Sequence, residues 1–332
     1  MIPGDIAAAL GVRASGTWRP APGGAPGSYA TSLPFLMAGE AGAEPATIAA
    51  GLAARLRGEA WIEGACVTGG GYLTVTVAAS ALTGLAVRVT EAGAACAASD
   101  ALRGTSVSAP ASDDPATAPT WAAARQLVAA AVTGRLAESC GATLTLDNRP
   151  VRVPPPGQAG PAAAVAFAGA DAVRYALARS APVRAEPIDA ARCVTGGLES
   201  PFFLVRYAHA QAASVLRWAG DLDVERGAAD GFRGELLGHR GELELLAAMS
   251  WLPERVAAAA RRRRPDVLAR HVERLASRWL DCAEGHPALP FGGRLAPRGP
   301  AEASARLWLA AAARTAIAAG LGLIGVAAPP RI

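Results

Sequence analysis

The sequence predicts a mostly α-helical protein, with a small N-terminal α/β domain followed by an all-α helical bundle. Three observations carry that prediction. The apolar fraction reaches 52% while aromatics supply only 5%; alanine makes up the difference, and alanine is the strongest helix former. Strand-type alternation marks residues 1–100, as in Tyr72-Leu73-Thr74-Val75-Thr76-Val77. Beyond Gly169 helical periodicity takes over, most clearly at Leu204, Val205, Ala208, Ala212, Val215, Leu216 and Ala219, which form one apolar stripe.

With 332 residues the chain has length for two or three domains, each able to bury a core. It contains no lysine, so every basic side chain is arginine apart from histidine, and the net charge is only +4. That is a mild lean toward acidic partners rather than a nucleic-acid signature in itself. The five cysteines (Cys66, Cys96, Cys140, Cys193, Cys282) are far apart and odd in number. Neither a metal site nor a disulfide framework is expected, no cofactor motif stands out, and a reducing cytoplasm fits. The N-terminus, with Asp5, lacks a basic-then-apolar signal layout. The most apolar segment, 307–328, is broken by Arg314 and Thr315 and by Gly320, Gly322 and Gly325. It reads as a buried helix and not as a membrane span.

Taken in order, residues 1–100 form the small mixed domain. Residues 21–28 are a Pro/Gly loop. A helix is predicted over 45–57, with Ile48, Leu52 and Leu56 four apart, and strands at Trp61-Ile62-Glu63 and Tyr72–Val77 are joined across Gly69-Gly70-Gly71. These glycines do not predict a phosphate loop, since no lysine follows and a strand comes next. Residues 101–165 hold a helix marked by Leu127, Val128, Ala131 and Leu136, then Asp147-Asn148-Arg149-Pro150 and a Pro/Gly/Ala linker. From 166 to 332 nearly everything is helical. The best-marked helix starts at Ser200, placed to cap the first turn, with Pro201 where a missing N–H is harmless. Arg206, Ala210, Ala213 and Arg217 fall on a second face of that helix, away from the stripe.

The order of residue types there says more. Pro201, Phe202, Phe203, Val205, Tyr207, Ala208, His209 and Ala210 resemble the first bundle helix of the anticodon-binding domain of the arginyl-tRNA synthetase family. Ser200 stands for the family's asparagine, and Arg206 and Gln211 have exchanged its glutamine and arginine. Gly169-Ala170-Asp171-Ala172-Val173-Arg174-Tyr175 is similar to the Asp-Ala-Leu-Arg signature that names this domain DALR. The earlier Asp100-Ala101-Leu102-Arg103 lies in the wrong context. Residues 241–246, 251–256, 264–271 and 313–326 resemble later family segments in the right order. In the first domain, Gly27-Ser28-Tyr29-Ala30-Thr31-Ser32 and Gly69-Gly70-Gly71-Tyr72-Leu73-Thr74 resemble two runs of the family's N-terminal domain. The resemblance implies an N-terminal domain over 1–100 that touches the corner of a tRNA, and a DALR anticodon-binding domain over 166–332.

Residues 101–165 occupy the place of that family's catalytic domain. The family's ATP signature, His-x-Gly-His opening a helix, corresponds here to the run from Pro115 to Arg125, in which Trp121-Ala122-Ala123-Ala124 retain neither histidine nor glycine. A full catalytic fold needs roughly 200 residues of alternating strand and helix. The segment is therefore expected to be a degenerate remnant with no catalytic residues.

The expected tRNA contacts are Tyr29 in the first domain, then Arg206, Tyr207, Arg217 and Trp218 on the organising helix, and the run Arg261-Arg262-Arg263-Arg264. Guanidinium groups suit phosphate oxygens, although the run also ends a helix, where positive charge complements the macrodipole. Trp218 and Trp251 are core candidates as well as stacking ones, and His209, His239, His271 and His286 have no ligand spacing. The leading expectation is a non-catalytic relative of arginyl-tRNA synthetase that binds tRNA, of the arginine class, or docks on a protein acting on it. Two rivals are a component of arginine–tRNA ligase activity with ATP chemistry supplied by another chain, and a protein-binding scaffold.

Overall fold

The computed structural model describes residues 1–12, 17–147, 160–180, 188–290 and 296–332. The N-terminal domain begins with α1 (Ile2–Ala9), β1 (Trp18–Pro20), β2 (Ser28–Thr31), α2 (Leu33–Ala41) and α3 (Pro45–Leu56), and continues with β3 (Ile62–Thr68) and β4 (Tyr72–Val77). Its four strands form an antiparallel sheet in the order β1-β2-β4-β3. β4 alternates as the sequence predicts, with Leu73, Val75 and Val77 buried, and it takes α3 on that face. The predicted 45–57 helix and both strands are present. Gly71 closes the β3–β4 hairpin at φ +135°, and a methyl there would press into Pro45 at 2.7 Å, so the hairpin and the start of α3 can meet only through glycine.

Two short helices, α4 (Ala79–Thr83) and α5 (Leu85–Ala92), lead to β5 (Ser106–Pro110), α6 (Trp121–Ser139) and β6 (Thr143–Asp147). β5 and β6 pair in parallel with α6 as the crossover, so this region is one βαβ unit. The sequence revealed the helix but not the parallel strands. At Gly134 an added methyl would run into Ala109 of β5, which sets how closely α6 lies on the strand. Thr120 caps α6 by accepting a hydrogen bond from the Ala123 N–H at 3.1 Å. Most of the expected linker, 148–159, lies outside the described residues.

The remainder is helical: α7 (Pro161–Ala168), α8 (Ala170–Arg179), α9 (Ala190–Val194), α10 (Pro201–Asp221), α11 (Arg240–Ser250), α12 (Leu252–Arg262), α13 (Pro265–Gly285) and α14 (Pro300–Ile324). α14 is long and apolar enough to cross a membrane by length and composition, but 67% of its most apolar window is buried inside the molecule. It is the central core helix, flanked by α10 and α13 on one side and by α5 on the other. α11 starts with a reciprocal cap, the Glu242 carboxylate accepting from the His239 N–H at 3.0 Å. The same buried carboxylate receives Arg306 of α14 at 3.0 Å, and Arg306 also donates to Glu302. A buried guanidinium is tolerated here because it is paired and hydrogen-bonded on several edges.

One hydrophobic cluster runs from Ile2 to Val326 without a break. α5 and the 93–97 turn lie along α14. The Tyr29 hydroxyl meets Ser250 Oγ at 2.8 Å, and its ring packs 5.2 Å from that of Trp251. The N-terminal domain is therefore packed directly on the bundle.

Candidate nucleic-acid interface

Helix α10 presents a group of partly exposed aromatics. Phe203 and Tyr207 stack one turn apart, centroids 5.7 Å and planes 15° apart, and Tyr207 is 38% exposed. Trp218, 47% exposed, follows eleven residues later, which is three helical turns and returns it to nearly the same face. Arg206 lies with its guanidinium 5.1 Å from the Phe202 ring centroid. The result is an aromatic stripe with a cationic group, Arg206, beside it, suited to stacking unpaired bases.

Two expectations about this helix need correction. Ser200 occupies the N-cap position, but its hydroxyl is buried and makes no hydrogen bond; Pro201 and packing define the start instead. Arg206 and Arg217 do not share an open face with Ala210 and Ala213, because both alanines are buried. The C-terminal tail covers that side: His209 Nδ1 lies 2.9 Å from the Pro329 carbonyl, and Arg217 donates to the Pro330 carbonyl at 3.0 Å and to Ser214. Arg217 is thus engaged in holding the tail. Burial is the main reason the His209 pKa falls below its ordinary value, so the ring is a neutral structural group.

Tyr29 also changes role. At 1% exposure, hydrogen-bonded to Ser250 and packed at a tilt against Trp251, it is closed to a macromolecular ligand. Burial pushes its phenol well above the ordinary value. What the first domain presents instead is Arg19, 4.1 Å over the Tyr72 ring, beside the exposed Phe35 and Leu36. Sequence reasoning had no signal for this patch, since Arg19 and Tyr72 belong to strands that do not even pair with each other.

The arginine run divides. Arg261, Arg262 and Arg263 are exposed at the end of α12. Arg263 takes the left-handed cap conformation at φ 51°, uncommon for a residue with a side chain. Arg264 turns back onto Asp266 in a two-pronged contact at 2.7 and 2.8 Å and is used in starting α13.

The Asp-Ala-x-Arg signature proves to be a clasp. Arg174 donates to Asp171 at 2.7 Å and to the Gly325 carbonyl at 3.0 Å, while Asp171 accepts from the Ala327 N–H at 2.9 Å. Arg135 of α6 joins it, donating to the Leu323 and Ile324 carbonyls at 3.0 Å each. Both arginines sit against Asp113. Together they satisfy the free carbonyls at the C-terminus of α14 and oppose its dipole. This ties the βαβ unit, α8 and the last helix into one body.

Among the described residues no cluster of His, Cys, Asp and Glu could hold a metal ion. All four histidines lie in the bundle, and α6 opens with Trp121 and three alanines.

The comparisons follow the same division. Residues 205–332 match the DALR anticodon binding domain, and residues 20–77 match the arginyl tRNA synthetase N terminal domain. The arginine–tRNA ligase of Clavibacter sepedonicus is 38% identical over 205 residues, covering 60% of this chain and 32% of that protein. The corresponding ligase of Pseudarthrobacter chlorophenolicus is 38% identical over 173 residues, covering 49% and 29%. A solved Thermus thermophilus arginyl-tRNA synthetase shares the fold, with a TM-score of 0.69 at 15% identity over 100% of this chain and 99% of that one. A sheet domain that matches a synthetase N-terminal domain, packed on a bundle that matches an anticodon-binding domain, is the architecture these matches define. The chain belongs to the arginyl-tRNA synthetase family. It spans about a third of the length of the curated relatives it matches.

Proposed function

We propose that this protein is a non-catalytic relative of arginyl-tRNA synthetase that binds tRNA, of the arginine class, through its DALR bundle. The observation that carries the proposal is the aromatic stripe of Phe203, Tyr207 and Trp218 on α10, flanked by Arg206, within the segment that matches an anticodon binding domain. Splayed anticodon bases are read by stacking, and phosphate contacts from Arg206 and from Arg261 to Arg263 would add a salt-dependent share. Because the first domain packs directly on the bundle, one tRNA would meet both. With tRNA as partner, the proposed compartment is the cytoplasm.

The non-catalytic part of the proposal rests on the helix that takes the place of the family's ATP signature. Where the family opens a helix with histidines against ATP phosphates, α6 presents Trp121-Ala122-Ala123-Ala124, and among the described residues between the two matched segments the strands are those of a single βαβ unit, the rest being short helices. A filter-binding titration of arginine tRNA and a mismatched tRNA at several salt concentrations tests binding. No binding to either at low salt removes the proposal and leaves a protein scaffold. Arginine-dependent ATP–pyrophosphate exchange by host-free protein would overturn the non-catalytic part.

One observation favours a second reading, in which another chain supplies the ATP chemistry of an arginine–tRNA ligase. Parallel strands are ordinarily covered on both faces, yet in β5 and β6 only Ala109 is buried and Leu146 is 54% exposed. Exchange activity that appears only when a second purified chain is added would establish it.

A further inference from the structure

A cleft of about 680 Å³ separates the Pro/Gly loop ahead of β2 from the faces of α11, α12 and α13. Four arginines reach it: Arg240, Arg255, Arg274 and Arg278. A single carboxylate, Glu244, stands among them, and it already receives Arg240 at 2.7 Å and Arg278. Arg255 lies 5.5 Å from the Trp251 ring centroid, with its Nε buried and without a hydrogen-bond partner. Among the described residues, nothing accepts a hydrogen bond from the Arg274 guanidinium. The opposite wall, residues 20–29, brings no charge. Beneath, His271 is buried and neither ring nitrogen has a well-formed hydrogen bond.

Solvated arginines on separate helices have no reason to converge, since like charges at short range repel. Here three helices bring them together against a loop that offers no compensation. Burial first, and then repulsion from Arg274, lower the Arg255 pKa, with Glu254 acting in the opposite direction. Glu244 answers Arg240 and Arg278, and among the described residues no carboxylate pairs with Arg255 or Arg274. Guanidinium forks match phosphate oxygens in pairs, and the volume falls within the range of sites that enclose small molecules.

We infer that this cleft is a phosphate-binding site for a nucleotide-sized anion, with Arg274 and Arg255 as its principal donors. Two sources supply that chemistry: a free nucleotide, or one nucleotide of a bound tRNA seated between the domains. The site is separate from the α10 stripe, none of whose residues line it. Loss of one can therefore be told from loss of the other.

The test is calorimetric titration of the full chain, at low salt, with inorganic pyrophosphate, with adenosine 5′-monophosphate and with tRNA, against chloride matched in ionic strength. Saturable binding of either small phosphate, weakened about tenfold by Arg274→Gln, is the expected result for a free ligand, since one charge-assisted hydrogen bond is worth about that much. Binding of tRNA alone, weakened to a similar degree by Arg274→Gln but not by Arg233→Gln outside the cleft, is the expected result for a tRNA source. Arg274 is exposed and makes no internal hydrogen bond, so its variant should fold; circular dichroism confirms this, and Arg255→Lys supplies an independent second variant. If no phosphate ligand binds in an Arg274- or Arg255-dependent way, the inference falls. Failure of Trp218→Ala to affect tRNA would instead count against the α10 reading and leave the cleft untouched.

Discussion

Two arginine-rich regions of this protein contrast sharply. Arg261 to Arg264 are adjacent in the chain and conspicuous in the sequence, yet they share little. Three fan outward from the end of α12, one in a left-handed cap, and the fourth is spent on Asp266. Arg240, Arg255, Arg274 and Arg278 are scattered over three helices with nothing in their spacing to draw notice, and they meet around one cleft. Adjacency along a helix end disperses charge into solvent, where it is hydrated and screened. Convergence across helices gathers it around one cleft, facing a wall that carries no charge. Density of charge in the sequence is a weaker guide to a binding site than convergence of charge in the fold.

The largest effect that would sharpen the contrast comes from the wall of the cleft. Trp251 is buried against Tyr29, so Trp251→Ala is expected to lower stability by about 3–5 kcal/mol, as large-to-small core changes do. It should also abolish ligand binding at the cleft by separating the two domains. Chemical denaturation measures the first effect and pyrophosphate titration the second; a variant of wild-type stability would break the account of the junction.

The next effect concerns pH. Burial, followed by the charges of Arg255 and Arg274, holds the His271 pKa down to about 3, against an ordinary 6.5, with the Ala248 backbone opposing weakly. Between those values the unfolded chain binds a proton that the folded chain refuses. Stability is therefore intact above pH 6.5 and is lost as pH falls toward 3, by about 1.4 kcal/mol per unit from this group. Denaturant midpoints between pH 7 and pH 4.5 should show the slope, and His271→Gln should flatten it. An unchanged slope in the variant would remove His271 as its source. Burial also lowers the His209 pKa, which acts in the same direction, so the difference between wild type and His271→Gln isolates the junction's share.

Trp218 comes third. Its substitution by alanine should weaken tRNA binding by about 1–3 kcal/mol, the usual worth of a stacked base, and reduce discrimination between isoacceptors with little loss of stability. Equal loss for all tRNAs would make it a general contact rather than a reader. The smallest effect is expected at Arg262. If its exposed side chain meets one phosphate, Arg262→Gln shallows the dependence of log affinity on log salt by about one unit, and stability stays within about 0.5 kcal/mol. A slope indistinguishable from wild type would leave the run as a solvated helix end, and the comparison would then be complete.

What the sequence determined was local. Leu73, Val75 and Val77 at period two specified a half-buried strand, and Val205, Ala208, Ala212 and Val215 specified the core face of α10, because apolar spacing follows directly from backbone geometry. The order Pro201 to Ala210 likewise marked the family. Only the tertiary structure decided which polar groups remain available for function. Tyr29, promising in its motif, is closed inside the junction, Arg217 holds the C-terminal tail, and Asp171 and Arg174 clasp the end of α14. The sequence could not show these outcomes, because each partner lies far along the chain: Ser250 for Tyr29, Pro330 for Arg217, Gly325 for Arg174. Periodicity records which face of an element is buried, whereas the partner of a polar side chain is fixed only when remote segments pack together.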